Sequence, residues 1–121
     1  MPPALTRDAA EKFAREWVQA WNDKDLDAIL SHYADDVVFH SPRIAQVLQV
    51  EQSSVKGLEA LRDYWSASLE SVGDIYFEIE RILLGSDALT LLYTNRRGQY
   101  VAESFLFNEA GKVKESLSAY E

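Results

Sequence analysis

The chain has 121 residues, 47% of them apolar, with three Trp, six Tyr and five Phe, and a formal net charge of −8. That size and composition fit one folded domain with a real core and argue against disorder. The charge disfavours nucleic acid and anionic membrane surfaces as partners, and the absence of cysteine excludes disulfides, thiol chemistry and Cys-based metal sites.

The apolar runs are far too short for a transmembrane helix. The opening Met1-Pro2-Pro3-Ala4-Leu5-Thr6-Arg7-Asp8 has neither the basic nor the apolar part of a signal peptide. A cytoplasmic location is therefore expected, which the missing cysteine also suits.

Residues 1–6 read as a tail and 7–121 as a single domain. Thr6 is a helix cap, followed by Asp8 and Glu11 in the electropositive first turn. Ala10, Phe13, Ala14, Trp17, Val18 and Trp21 then recur at helical spacing, up to Asn22-Asp23-Lys24. Asp25 caps a short second helix with Leu26, Ile29, Leu30 and Tyr33 as its stripe, His32 on its surface and Asp35-Asp36 at its end. Val37-Val38-Phe39-His40-Ser41 is β-branched and aromatic and is closed by Pro42, which predicts a strand. Between 43 and 56, Ala45 to Val50 is expected to pair as a strand and Glu51-Gln52-Ser53-Ser54 to form a loop. Gly57 precedes a third helix with Leu58, Leu61, Trp65 and Leu69 on one face, and Gly73-Asp74 is a turn.

Strands fill the remainder: Ile75 to Leu84, Ala88 to Asn95, Gln99 to Phe107 and Lys112 to Tyr120. The short Gly-containing turns between them make neighbours antiparallel. The Glu80-Arg81 step interrupts the alternation of Phe77, Ile79, Ile82 and Leu84 and predicts a bulge. Three amphipathic helices covering one face of such a meander give an α+β domain.

Several of these stretches resemble a known family. Phe13 to Asn22, Asp25 to Ile29, Tyr33 to Pro42, Gly57 to Trp65 and Phe105 to Val113 are together similar to the SnoaL-like branch of the nuclear transport factor 2-like superfamily. The resemblance implies a cone of three N-terminal helices wrapped by a strongly curved, mixed-to-antiparallel sheet, a cystatin-like α+β barrel with an internal pocket. It also implies a small apolar organic ligand and a homodimer formed through the outer sheet face. Relatives include isomerases, cyclases, dehydratases and hydrolases that use no cofactor, as well as non-catalytic binding modules. The three reacting positions of the ketosteroid isomerases fall on Trp17, Ser41 and Glu103, of which only Glu103 keeps a carboxyl. Steroid-type isomerisation is therefore not expected.

Glu103 alternates with Val101, Phe105 and Phe107, so it shares an apolar strand face, where a carboxyl has a raised pKa. The plainer alternative is a partly solvated face or an arginine partner. His40 is the other candidate acid or base, although alternation against Val37, Phe39 and Ser41 turns it outward, towards solvent or a partner chain. Phe13, Trp17, Trp21, Tyr33, Phe39, Ser41, Trp65, Val101 and Phe105 are expected to line the pocket; for the helical aromatics, core packing is the competing role. No metal site is expected, because two histidines at this spacing do not make one. No cofactor loop is present either. Leu89, Leu91 and Tyr93 on one strand, and Tyr100 and Leu106 on the next, are expected to form an outer apolar patch.

Overall fold

The computed structural model describes residues 5–72 and 74–121. Most of the expected tail (1–4) and Gly73 of the expected turn lie outside the described residues. The helices are α1 (Arg7–Asn22), α2 (Leu26–Leu30), α3 (Arg43–Leu48) and α4 (Leu58–Val72). The strands are β1 (Tyr33–His40), β2 (Ser54–Lys56), β3 (Glu78–Leu84), β4 (Ala88–Thr94), β5 (Tyr100–Phe107) and β6 (Val113–Tyr120).

Both expected helix caps form. Thr6 Oγ1 accepts from the Ala9 N–H at 3.1 Å, and Asp25 Oδ1 accepts from the Ala28 N–H at 3.1 Å. Each satisfies a backbone donor that the first helical turn leaves open. Helix α2 is shorter than expected, because Tyr33 to Asp36 already belong to β1. His32 therefore sits in the connection, half-buried, its ring 5.0 Å from that of Phe13.

The sheet runs β2-β1-β6-β5-β4-β3. Strands β3 to β6 form the expected antiparallel meander. Two of its turns are built alike. Asn95 Oδ1 accepts from the Arg97 and Gln99 N–H groups, at 3.1 and 3.0 Å, and Asn108 Oδ1 from those of Ala110 and Lys112, at 3.0 and 2.9 Å. In each, a glycine takes the left-handed position, with φ +78° at Gly98 and at Gly111. The bulge expected at Glu80-Arg81 is present as a register shift between Ile79 and Arg81. Strand β1 joins the last strand in parallel, Phe39 opposite Ser116, and carries β2 antiparallel on its other side.

The segment 43–56 departs from expectation. Arg43–Leu48 is a helix rather than a strand, and Ser54, expected in a loop, opens β2. Ile44 is fully buried under this short helix, so tertiary burial overrides the β-branched character of Ile-Ala-Gln-Val.

Helices α1 and α4 cover the inner sheet face. Trp17 stacks on Phe77, with centroids 5.9 Å apart, and meets Tyr93 and Phe105 edge-on at 5.3 and 5.6 Å. Trp65 meets Trp21, Tyr33 and Phe39 edge-on at 5.1, 5.0 and 5.3 Å. Such offset and edge contacts add to the burial of large rings. Leu89, Leu91 and Tyr93 belong to this core, not to the outer patch: strand alternation groups them correctly, but they face inward and are at most 3% exposed. The outer face instead carries Leu83, Thr90, Ser104 and Leu117 in one row across four strands, with Tyr100 and Leu106 nearby.

Candidate functional site

Between the helices and the inner sheet face lies a cavity of about 290 Å³. Its walls come from α1 (Trp17, Trp21), β1 (Phe39), α3 (Arg43, Val47), α4 (Tyr64, Trp65) and the approach to β3 (Ile75, Tyr76, Phe77), with Tyr93, Val101, Glu103, Ser118 and Tyr120 from the sheet. Asn22 fixes the Phe77 wall: its amide donates to the Phe77 carbonyl at 3.1 Å, and its Oδ1 accepts from the Phe77 N–H at 2.7 Å.

Of the residues expected to line the pocket, Trp17, Trp21, Phe39, Trp65 and Val101 do so, together with Glu103. Phe13, Tyr33, Ser41 and Phe105 do not. Phe13 packs edge-on against Phe105 and Phe107 at 5.0 and 5.2 Å, which fills that end of the core. Tyr33 sits behind Trp17, its hydroxyl accepting from Trp17 Nε1 at 3.2 Å. Ser41 is buried and its Oγ accepts from the Arg43 N–H at 3.2 Å, steering the chain from β1 into α3. His40 is not in the cavity: its Nε2 lies 2.9 Å from Glu115 Oε2 on neighbouring β6, with both side chains roughly half exposed. The parity of the strand holds through its end, despite Pro42.

Glu103 is the acid of this cavity and is 3% exposed. Ser118 Oγ donates to its Oε1 at 2.6 Å, and the Tyr93 hydroxyl donates to the same oxygen at 3.2 Å. Oε2 receives no hydrogen bond from the described residues. Burial pushes the carboxyl up to about 7, against the opposing pull of the Ser118 and Tyr93 hydrogen bonds. Neither alternative for Glu103 holds: the face is not solvated, and no arginine pairs with it among the described residues. The tyrosines nearby move the same way. Burial, then the charge of Glu103, raises Tyr33 and Tyr93 well above the ordinary range and Tyr120 to about 12. At neutral pH all three hydroxyls keep their protons and do not act as bases.

The roles of Arg43, Tyr93, Ser118 and Tyr120 were not anticipated. Ser118 and Tyr120 follow the period-two alternation of β6 and pair with β5 at Glu103 and Val101, a signal that lay in the sequence. Arg43 needed α3, which the sequence did not reveal. Among the described residues Trp21 Nε1 and Ser116 Oγ are buried without a partner. No group of three or more His, Cys, Asp or Glu gathers as metal ligands do, and no helix is long and apolar enough to cross a membrane, again among the described residues.

An inner sheet face closed by helices over a cavity, with one buried acid among the described residues, defines an α+β domain. Residues 14–114 match the SnoaL-like domain family, and the chain belongs to it. A SnoaL-like protein of unknown function from Burkholderia thailandensis is 36% identical, over 98% of both chains, with a TM-score of 0.91. A protein of unknown function with a cystatin-like fold from Methylobium petroleophilum is 20% identical, over 98% of this chain and 79% of that one, with a TM-score of 0.74. TerC, co-crystallised with polyporic acid, is 14% identical, over 93% of this chain and 91% of that one, with a TM-score of 0.77. The last two show the shared fold alone. A comparison with curated proteins finds none that matches in sequence.

Proposed function

We propose that this protein is a cofactor-free acid–base catalyst acting on a small, planar, largely apolar molecule bound in the cavity, with Glu103 moving the proton. The observation that carries this reading is the buried carboxyl on the cavity wall, raised to about 7. A group with that midpoint is present in both protonation states near neutrality, which is what general acid–base catalysis needs. Ser118 and Tyr93 hold Oε1 and leave Oε2 for the ligand. The reaction classes that fit are isomerisation, cyclisation, dehydration and hydrolysis. Trp17 and Ser41 supply no second carboxyl, so the substrate's leaving proton and its returning proton both pass through Glu103.

The Kemp elimination of 5-nitrobenzisoxazole tests this directly. A carboxylate base removes the ring C–H proton, the N–O bond breaks, and a coloured phenolate nitrile forms. The expected outcome is a rate above that of free carboxylate, rising with pH through a midpoint of about 7 to a plateau, and lost in Glu103→Gln. Equal rates for the two proteins would remove Glu103 from the chemistry. Simple ligand storage is the second reading, favoured by the loss of the other two reacting positions. It predicts binding of the probe without acceleration.

For assembly, we infer a homodimer through the outer sheet face. Support comes from Leu83, Leu106, Leu117 and Tyr100, each at least 37% exposed on that face.

A further inference from the structure

The cavity carries two chemically different polar groups. Glu103 is one. Arg43 is another, half-buried at the start of α3. Its guanidinium carbon lies 4.4 Å from the centroid of the Tyr120 ring. Its Nη2 donates to Gln99 Oε1 at 3.3 Å, and Gln99 is itself tethered through the Asn95 amide (3.0 Å) and the Glu121 carbonyl (2.9 Å). The guanidinium is thus held on a ring face and along one edge.

A guanidinium offers five N–H donors, and the described residues use one of Arg43's. No carboxylate among them forms an ion pair with it. Neighbouring Arg96 differs, because Asp74 takes its Nη2 at 3.1 Å and Tyr76 lies beneath it. Arg97, also on the rim, has no ion pair among the described residues either. In a chain of net charge −8, carboxylates are plentiful, yet none covers this partly desolvated cation. The charges of Arg43 and Glu103 both reach Tyr64 and Tyr120, where they act in opposite directions.

We propose that the cavity takes a small planar aromatic monocarboxylate, its rings against the Trp17, Phe39 and Trp65 walls and its carboxylate on Arg43. The planar fork of one fixed guanidinium matches one carboxylate. A dianion would meet the net charge of −8 with Arg43 as the one held cation not already paired, since Asp74 takes Arg96 and no ion pair among the described residues fixes Arg97. The volume of about 290 Å³ is at the small end of ligand pockets, which limits the occupant to two fused rings or their equivalent. This inference deepens the proposed function and rests on it only in taking the cavity to be a ligand site.

The test is calorimetric binding of 2-naphthoate and of its neutral isostere 2-naphthamide, at about pH 6, where Glu103 keeps its proton and the probe acid is ionised. The acid should bind the unmodified protein at least about tenfold tighter than the amide. Arg43→Gln should bring the acid down to the amide's affinity and leave the amide's unchanged, while Arg43→Lys should restore part of the preference. Equal binding of acid and amide by the unmodified protein would overturn this proposal and leave a pocket for neutral ligands. Equal loss of both compounds in Arg43→Gln would also overturn it, making Arg43 a wall of the cavity only. Binding of neither compound would overturn the ligand-site reading along with it.

Discussion

Glu103→Gln isolates the energetic cost of the buried acid. Folding raises this carboxyl from the ordinary 4.5 to about 7. Below pH 4.5 the folded and unfolded chains both hold the proton. Between 4.5 and 7 the unfolded chain loses it first, so rising pH favours unfolding. Above 7 both are ionised and the difference stays constant. About 2.5 pH units at 1.36 kcal/mol each amounts to about 3 kcal/mol of stability, present in acid and lost by neutrality. Glutamine has the same shape, keeps an acceptor for Ser118 and Tyr93, and does not titrate. Urea unfolding followed by tryptophan emission at several pH values, for both proteins, cancels the other carboxylates. The stability of the unmodified protein relative to the variant should fall by about 3 kcal/mol between pH 4.5 and 7.5. A constant difference across that range would refute the argument, because it would mean Glu103 titrates normally in the folded chain.

Ser116→Ala should stabilise the protein by up to about 1 kcal/mol in the same unfolding assay, since it deletes a buried hydroxyl that has no partner among the described residues. A comparable loss would mean the hydroxyl is satisfied after all. Light scattering should give twice the chain mass of 13.7 kDa, and Leu117→Asp, which puts a charge in the outer row, should give the monomer. A monomer from the unmodified protein at micromolar concentration would sink the dimer.

The sequence makes the meander legible because its signals are local: alternation, Asn- and Gly-built turns, and the phase slip at Glu80-Arg81. The same alternation puts Glu103 on the apolar strand face it shares with Val101 and Phe105. It cannot say which face of a strand is inward, and so Leu89, Leu91 and Tyr93 are easily read as an outer patch. Helix α3 is invisible for a different reason. It has no side-chain cap and ends at Gln49 in a left-handed conformation with φ +56°, so neither end is marked by a typical capping residue. The place of Arg43 in the cavity wall depends on that helix.

The parallel pairing of β1 with β6 has a consequence for the order of folding. Phe39 meets Ser116 across about two-thirds of the chain, whereas the hairpins of the meander close over a few residues. Contacts so distant in sequence form late and slowly. The meander and α1 can assemble early, but the wall between Phe39 and Tyr120 waits for the last strand to be docked by the first. The cavity is therefore expected to close last, and a chain stalled before that step would expose its aromatic lining to water.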